Sequence, residues 1–206
     1  MGSKMADKRI FIAIDISEAA RSECSRHIEE LRGQFKDVRV GWERPEKLHI
    51  TLKFLGATPD SVLTHLEAIL PTIAARYRPF PLVLSGPGVF PSKARPRIFW
   101  IGVKDESEVT SELYKAVDQE CSAFGFASER REFRPHVTVA RVRERQKAGL
   151  PAEAHLRSKV EPVEFLVGEI ILYESRLAPS GSVYSPVFRF RLGPNTLQAP
   201  LGAECL

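Results

Sequence analysis

The sequence has few cysteines and no long apolar segment. Its 206 residues include three cysteines, Cys24, Cys121 and Cys205, which are widely spaced and form no Cys-x-x-Cys pair. An odd, dispersed set argues against a disulfide framework or a cysteine zinc site and favours the reducing cytoplasm. No apolar run approaches the roughly 20 residues that a membrane-spanning helix needs. We therefore expect a cytoplasmic protein with no membrane association.

A strong excess of charge is also missing. The 30 Lys and Arg residues nearly balance 26 Asp and Glu residues, and the net charge of +4 permits a polyanionic partner without requiring one. The length suits one large domain or two small lobes. We assign residues 8–192 to a single bilobal domain, 1–7 to a cloning remnant or flexible start, and 193–206 to a flexible tail.

The most informative feature that is present is a His-x-Thr motif that occurs twice. His49 and Thr51 form one copy, and His136 and Thr138 form the other; each lies in an apolar, β-branched run typical of a strand. Because side chains alternate along a strand, the histidine and threonine of each copy share one face and the aliphatic residues take the other. Each strand is thus expected to bury its aliphatic side and present an imidazole beside a hydroxyl.

The surroundings of the motif repeat as well. The two histidines are 87 residues apart (136 − 49), and Phe11 and Phe99 are 88 apart (99 − 11). A strand, a helix and a His-x-Thr strand are predicted in each half, over 8–15, 18–35 and 48–55, and over 98–103, 107–124 and 133–142. Such a period is too long for a solenoid and suits two similar lobes that meet at a shared cleft. Predominantly antiparallel sheets with helices outside are expected.

Two imidazoles and two hydroxyls suit acid–base chemistry at a phosphate. Histidines with a reference pKa of about 6.5 can act as one base and one acid near neutral pH. Thr51 and Thr138 can donate hydrogen bonds to phosphate oxygens. Lys53, two residues past Thr51, and Arg141, two past Val139, are expected on the faces of their histidines, where they add positive charge. This chemistry needs no metal and no cofactor.

Several other residues are weaker candidates. Phe11, Trp42 or Tyr184 could stack on a terminal base, although Phe11 could equally belong to the core. Arg131 and Arg134 could contact phosphate or only solubilise their loop. The basic segment 141–147 could follow an RNA backbone or form a solvated charge run. His27 and His65 are expected to be surface or partly buried structural residues of helices, and His155 is expected to be solvated.

The two motifs resemble those of a known family. Residues 48–56 (LHITLKFLG) and 133–141 (FRPHVTVAR) are similar to the signatures of the 2H phosphoesterases. More narrowly, they resemble the RNA 2′,3′-cyclic phosphodiesterases of bacteria and archaea, also called 2′-5′ RNA ligases. Residues 9–13, 97–100, 172–177 and 181–184 also fit this family.

The resemblance implies an α+β fold with two pseudo-twofold-related lobes and a central cleft. It also implies metal-independent opening of an RNA 2′,3′-cyclic phosphate, or of a cyclic nucleotide, to a 2′-phosphomonoester by a protein that we expect to be monomeric. His49 would be the proton donor, His136 the proton acceptor, and Thr51 and Thr138 would hold the phosphate. Two alternatives stay open: ligation of the cyclic phosphate to a 5′-hydroxyl, and a non-catalytic RNA-binding module.

Overall fold

The computed structural model describes residues 8–35, 40–128, 131–142, 149–179 and 181–193. The expected flexible start, residues 1–7, lies outside the described residues, as do the expected tail apart from Gly193 and the segment 143–148, which contains most of the predicted basic run. None of the helices in the described ranges is long and apolar enough to cross a membrane.

The chain alternates strands and helices largely as predicted. The first half contains β1 (Lys8–Asp15), α1 (Glu18–Gln34), β2 (Val40–Trp42), a 3₁₀ turn (Pro45–Lys47), β3 (His49–Thr58) and α2 (Asp60–Ala74). The second contains β4 (Phe80–Phe90), β5 (Ile98–Lys104), α3 (Val109–Ala123), β6 (His136–Val142), α4 (Gly149–Arg157), β7 (Glu164–Val167), β8 (Glu169–Ala178) and β9 (Gly181–Arg191).

Two elements differ from the prediction for local reasons. β4 continues through the Gly- and Pro-containing stretch that the sequence indicates as a bend, because its partner β5 pairs with it up to Phe90. The short helix α4 lies in a segment that the sequence indicates only as polar. The segment has this pattern because the helix buries only Pro151, Ala152 and His155. Three buried residues are too few to produce a clear helical periodicity.

All the strand pairs are antiparallel and form one curled sheet in the order β7-β4-β5-β6-β3-β1-β8-β9, with β2 paired to β6. The order is symmetric about the boundary between β3 and β6, the two strands that carry His-x-Thr. Each side contributes four strands to this order, which agrees with the predicted pair of related lobes. The helices supply apolar residues to one large core on a single face of the sheet, so the opposite face stays open near the motifs.

Strand pairing repeats between the lobes with an offset of 87 residues. Ala13 pairs with Thr51 in the first lobe, and Trp100 pairs with Thr138 in the second. The spacing of 88 between Phe11 and Phe99 therefore misses the true equivalence by one residue. One residue reverses the face of a strand, and Phe99 indeed lies in the large core whereas Phe11 lies in the small cluster on the other face.

A β-bulge interrupts each motif strand directly after its threonine. In β3, Ile12 and Ala13 pair with Lys53 and Thr51, so Leu52 is the extra residue. In β6, Val139 is the extra residue at the equivalent position. A bulge of this kind resets the alternation of side chains along the strand. Residues beyond each bulge therefore face the side opposite to that expected from simple alternation.

The bulge makes the prediction for Lys53 wrong. Lys53 is 4% exposed, and its ammonium forms an ion pair with Asp118 of α3 and donates to the Ala127 carbonyl at 2.6 Å. The bulge in β6 has the opposite consequence for the prediction about Arg141. Strict alternation from Thr138 would place Arg141 with the core residues, and only the bulge returns it to the histidine face, where the sequence prediction had put it.

The two lobes are held together by helices that cross between them. α3 follows β5 of the second lobe but packs against β3 of the first. α1 follows β1 but contacts α4 and β7. The ion pair between Lys53 and Asp118 is therefore also a link between the lobes.

A second link is a buried pair of histidines on α1 and α4. His27 Nε2 lies 2.9 Å from His155 Nδ1, and His155 Nε2 donates to the carbonyls of Gly88 and Trp100 at 3.0 and 3.1 Å. His155 must therefore accept at Nδ1 from a neutral His27. Exposed fractions of 1% and 0% contradict the predictions of a surface or partly buried His27 and a solvated His155.

We predict that Lys53→Met lowers the free energy of unfolding by about 3 kcal/mol, because Asp118 is left without its cation in a largely buried site. Lys53→Met combined with Asp118→Leu should recover most of that loss, as urea denaturation of both variants would measure. A Lys53→Met variant as stable as the wild type would contradict the structural role of Lys53.

We also predict that acid destabilises the fold through the histidine pair. Burial is the main cause that lowers the pKa of His27 and of His155 below the ordinary 6.5. Their contribution to stability is therefore complete above pH 6.5 and is lost as pH falls toward the lowered values, by an amount on the order of 1–3 kcal/mol. His27→Gln, which retains a donor, should flatten the curve of unfolding free energy against pH between 6.5 and 4. Parallel curves for the two proteins would refute the assignment.

Candidate active site

Strands β3 and β6 bring the two motifs together on one face of the sheet. They pair at a single position, Ile50 opposite Val137, and both of these side chains are fully buried in the core. Each neighbouring residue must point to the other face. Because the strands are antiparallel, His49 lies toward Thr138 and Thr51 lies toward His136. Proximity of the motifs, predicted from the duplication, is thus a consequence of this register.

Both imidazoles are oriented by the same local hydrogen bond. His49 Nδ1 lies 2.6 Å from the carbonyl oxygen of Lys47, and His136 Nδ1 lies 2.6 Å from that of Arg134. A carbonyl can only accept, so Nδ1 carries the proton in both rings. Nε2 is then the basic nitrogen of each neutral imidazole. In the first motif, it lies 3.0 Å from Thr51 Oγ1, which donates to it.

The carbonyl that orients His49 belongs to a turn held by Arg21 of α1. The Arg21 guanidinium donates to the carbonyls of Pro45 and Leu48, which frame this turn, and to that of Ile16 at 3.5 Å. Sequence reasoning did not identify Arg21, because an arginine on an amphipathic helix carries no signal that distinguishes it from a solvated one. Its role depends on the packing of α1 against the turn.

Aromatic rings support each histidine from the side. Phe11 lies 5.0 Å and Tyr184 lies 5.5 Å from the His49 ring, and the two aromatic rings are 4.9 Å from each other. Phe11 is 1% exposed, so it belongs to the floor beneath His49 and direct stacking of a base on Phe11 is excluded. Tyr184 is half-buried. Phe54, which the β3 bulge turns outward, is 61% exposed and lies 5.6 Å from Phe11.

Two aromatic rings support the second histidine. His136 contacts Phe90 and Trp100 at ring distances of 5.1 and 5.9 Å. The Trp100 ring lies directly over Gly88, where an added Cβ would fall 2.1 Å from a ring carbon. Only glycine at this position in β4 leaves room for the indole.

Burial shifts the pKa values of His49 and His136 in the same direction. It lowers the pKa of His49 to about 4 and also lowers that of His136 below 6.5. The carbonyls of Lys47 and Arg134 act in the opposite direction, while the positive charge of Arg141 lowers both values further. In the free protein at neutral pH both rings are therefore neutral.

The remaining candidates, Arg141, Trp42 and Arg131, differ in their contacts and in their exposure. Arg141 donates from Nε to Glu43 Oε1 at 3.1 Å, and its side chain remains 48% exposed. Trp42 is half-buried and contacts Phe99 edge-on. Arg131 is exposed in the segment before β6, and a phosphate contact for it stays a prediction.

A cleft of about 800 Å³ borders this site. It lies where β2 takes the place of β3 beside β6, and its walls include Trp42, Lys47, Arg141 and Tyr184. Neither motif histidine lines it, so the cleft adjoins the site and is not the site itself. Within the described residues, no group of three His, Cys, Asp or Glu side chains is arranged to hold a metal ion.

Known proteins share this sequence and fold. An RNA 2′,3′-cyclic phosphodiesterase of Methanothermobacter thermautotrophicus is 35% identical over 89% of this chain and 98% of its own length. An RNA 2′,3′-cyclic phosphodiesterase of Archaeoglobus fulgidus is 33% identical over 85% of this chain and 96% of its own. The crystal structure of the TT0787 protein of Thermus thermophilus superposes with a TM-score of 0.71 at 26% identity, over 90% of this chain and 98% of that one.

The match to a family covers most of the chain and both motifs. Residues 20–178 match the 2′-5′ RNA ligase superfamily, a range that contains both His-x-Thr strands and the pairing between them. Together with relatives at 33–35% identity over nearly their full length, this match shows that the chain belongs to the 2′-5′ RNA ligase superfamily.

Proposed function

We propose that this protein hydrolyses the 2′,3′-cyclic phosphate at an RNA end to a 2′-phosphomonoester, without a metal ion. The observation that carries the proposal is the matched pair of imidazoles, each with Nδ1 bound to a carbonyl two residues earlier and with Nε2 as its basic nitrogen. Binding alone needs positive charge and not a symmetric acid–base pair. The activity named for the relatives supports the same conclusion.

The reaction requires a base and an acid on opposite sides of phosphorus. In the proposed mechanism, neutral His136 accepts a proton at Nε2 from a water molecule, whose oxygen forms the new bond to phosphorus. The bond from phosphorus to the 3′ oxygen breaks, and protonated His49 gives its Nε2 proton to that oxygen. The product carries a 2′-phosphate and a 3′-hydroxyl. The division of roles between the histidines follows from the family resemblance, since the lobes are nearly equivalent.

The two threonines and Arg141 stabilise the charge on the phosphate. Thr51 donates to His49 in the free protein, and it can donate to a non-bridging oxygen once His49 is protonated and no longer accepts. Thr138 occupies the equivalent position beside His136. Arg141, on the histidine face beyond the β6 bulge, supplies positive charge toward both imidazoles. Hydrogen bonds directed at developing charge in a site of this kind are a main source of rate enhancement.

The acid in this mechanism arises when substrate binds. In the free protein, burial favours the neutral form of both rings. A phosphodiester anion between them favours the protonated form and raises the pKa of each. Binding therefore supplies the proton donor that the free protein lacks at neutral pH.

We predict that the purified protein converts 2′,3′-cyclic AMP to 2′-AMP in the presence of EDTA, as ³¹P NMR of the product would show. His49→Ala and His136→Ala should each reduce kcat by about 10²–10⁴-fold, because each removes one proton-transfer step. His65→Ala is the matched control, since His65 contacts Glu120 on the surface between α2 and α3, and its rate should be unchanged. A requirement for divalent metal would refute the two-histidine mechanism. Binding without turnover would favour the non-catalytic module.

We further predict two bell-shaped pH profiles that are displaced from each other. The profile of kcat/KM reports the free protein, in which both histidine pKa values are lowered, and that of kcat reports the complex, in which the bound anion raises them. The kcat profile should therefore be centred at higher pH. Coincident centres, or a kcat profile shifted to lower pH, would contradict the proposed source of the acid.

A further inference from the structure

Asp15 lies beside His49 at the end of β1. The two residues are partners in the antiparallel pairing of β1 with β3, and directly paired residues place their side chains on the same face, with Cβ atoms about 4.5–5.5 Å apart. Asp15 is therefore on the face that carries the motif pair. The ring nitrogens of His49 are occupied by the Lys47 carbonyl and the Thr51 hydroxyl, so the influence of Asp15 on the imidazole is electrostatic.

Strands β8 and β9 hold the Asp15 carboxylate in place. Tyr173 Oη donates to Asp15 Oδ1 at 2.8 Å, and the Tyr173 ring is buried and stacks on Phe11 at 5.1 Å. The Arg189 guanidinium lies 3.8 Å from Asp15 Oδ2 and also pairs with Glu169. Two carboxylates thus share one guanidinium, and the three groups together keep a net negative charge on this side of the site.

The second lobe has no counterpart of this carboxylate. The position equivalent to Asp15 is Gly102, which pairs with His136 as Asp15 pairs with His49. An added Cβ at Gly102 would fall 2.5 Å from Ser85 Oγ of β4, so no side chain fits there unless β4 moves. The two imidazoles are oriented alike but differ in whether a carboxylate lies across the strand pair.

We propose that Asp15 is a positioning residue for the proton donor: its carboxylate holds the proton on His49, while His136 has no such partner and is left to act as the base. The inference rests on the proposed function, in which His49 Nε2 gives its proton to the departing 3′ oxygen. A negative charge close to an imidazole favours the protonated form. Asp15 therefore supplies a physical reason for a division of roles that the motifs by themselves leave symmetric.

The other groups around His49 do not replace this charge. Burial is the main cause that lowers the pKa of His49, and the cations Arg141 and Arg21 lower it further, whereas Asp15 raises it. Burial also raises the pKa of Tyr173 and of Tyr184, so both phenols are neutral. The charged and titratable groups around this ring are Asp15 of β1, Arg21 of α1, Lys47 of the 3₁₀ turn, Arg141 of β6, Tyr173 of β8 and Tyr184 of β9.

The test follows the proton on His49 in Asp15→Asn, a variant of the same shape that still accepts the bond from Tyr173. In the protein saturated with 2′-AMP, NMR titration of the imidazole Cε1–H signals should show the pKa of His49 lowered by about one pH unit and that of His136 unchanged. The kcat for 2′,3′-cyclic AMP should fall about tenfold on the alkaline side of its pH profile, where the protonated acid is scarce. On the acidic side, kcat should match the wild type.

Two further variants serve as controls. Asp15→Glu keeps the negative charge and should restore most of the rate on the alkaline side. Glu67→Gln, at an exposed position of α2, removes the same charge outside the site and should change neither side of the profile.

An unchanged pKa of His49 in Asp15→Asn would overturn the role of Asp15. Equal shifts of both histidine pKa values, or an equal loss of kcat on both sides of the profile, would overturn it too, because a general distortion of the site produces that result. If the wild type hydrolyses no cyclic phosphate, the proposed reaction is overturned. The titration with 2′-AMP still decides in that case whether Asp15 controls the proton on His49.

Discussion

The site depends on one strand pairing, that of Ile50 with Val137 between β3 and β6. Both side chains are fully buried, so the core fixes which face each neighbour takes. A shift of one residue in either strand would turn the histidine of that strand into the core. Helices that cross between the lobes hold the pairing in place, through the ion pair of Lys53 with Asp118 and the contact of His27 with His155. The geometry of the motif pair and the assembly of the two lobes therefore depend on the same contacts.

The duplication produces a symmetric reactive pair inside asymmetric surroundings. Equivalent carbonyls orient both imidazoles, and equivalent bulges follow both threonines. The same bulge, however, turns Phe54 outward in one lobe and Arg141 in the other. Around His49 the wall includes the half-buried Tyr184 next to a cleft that Lys47 and Arg141 line, whereas Phe90 and Trp100 contact His136. Such asymmetry gives the two equivalent imidazoles different neighbours, which the proposed division into an acid and a base requires.

The sequence predicted most of the strands, three of the four helices that the structure describes, and the two motifs, because each has a strong local signal. It was wrong about Lys53 because a bulge is not visible in side-chain alternation. It was wrong about His155 because a three-residue buried face in a polar segment has no periodicity. The sequence left open whether Phe11 stacks on a base or belongs to the core, and its burial beneath His49 excludes direct stacking. The failure at Lys53 concerns the face that a residue takes in a correctly predicted strand, whereas the failure at His155 concerns a helix that was not predicted.

Local sequence thus determined that two His-x-Thr strands exist, that each presents an imidazole beside a hydroxyl, and that the halves of the chain are related. These properties follow from residue type and from the period of two in a strand. Tertiary structure decided which nitrogen of each imidazole is reactive, how far burial lowers the histidine pKa values, and that Arg141 and not Lys53 reaches the site. Those outcomes require contacts between segments far apart in the chain, such as Arg21 with the turn before His49, and no local pattern encodes them.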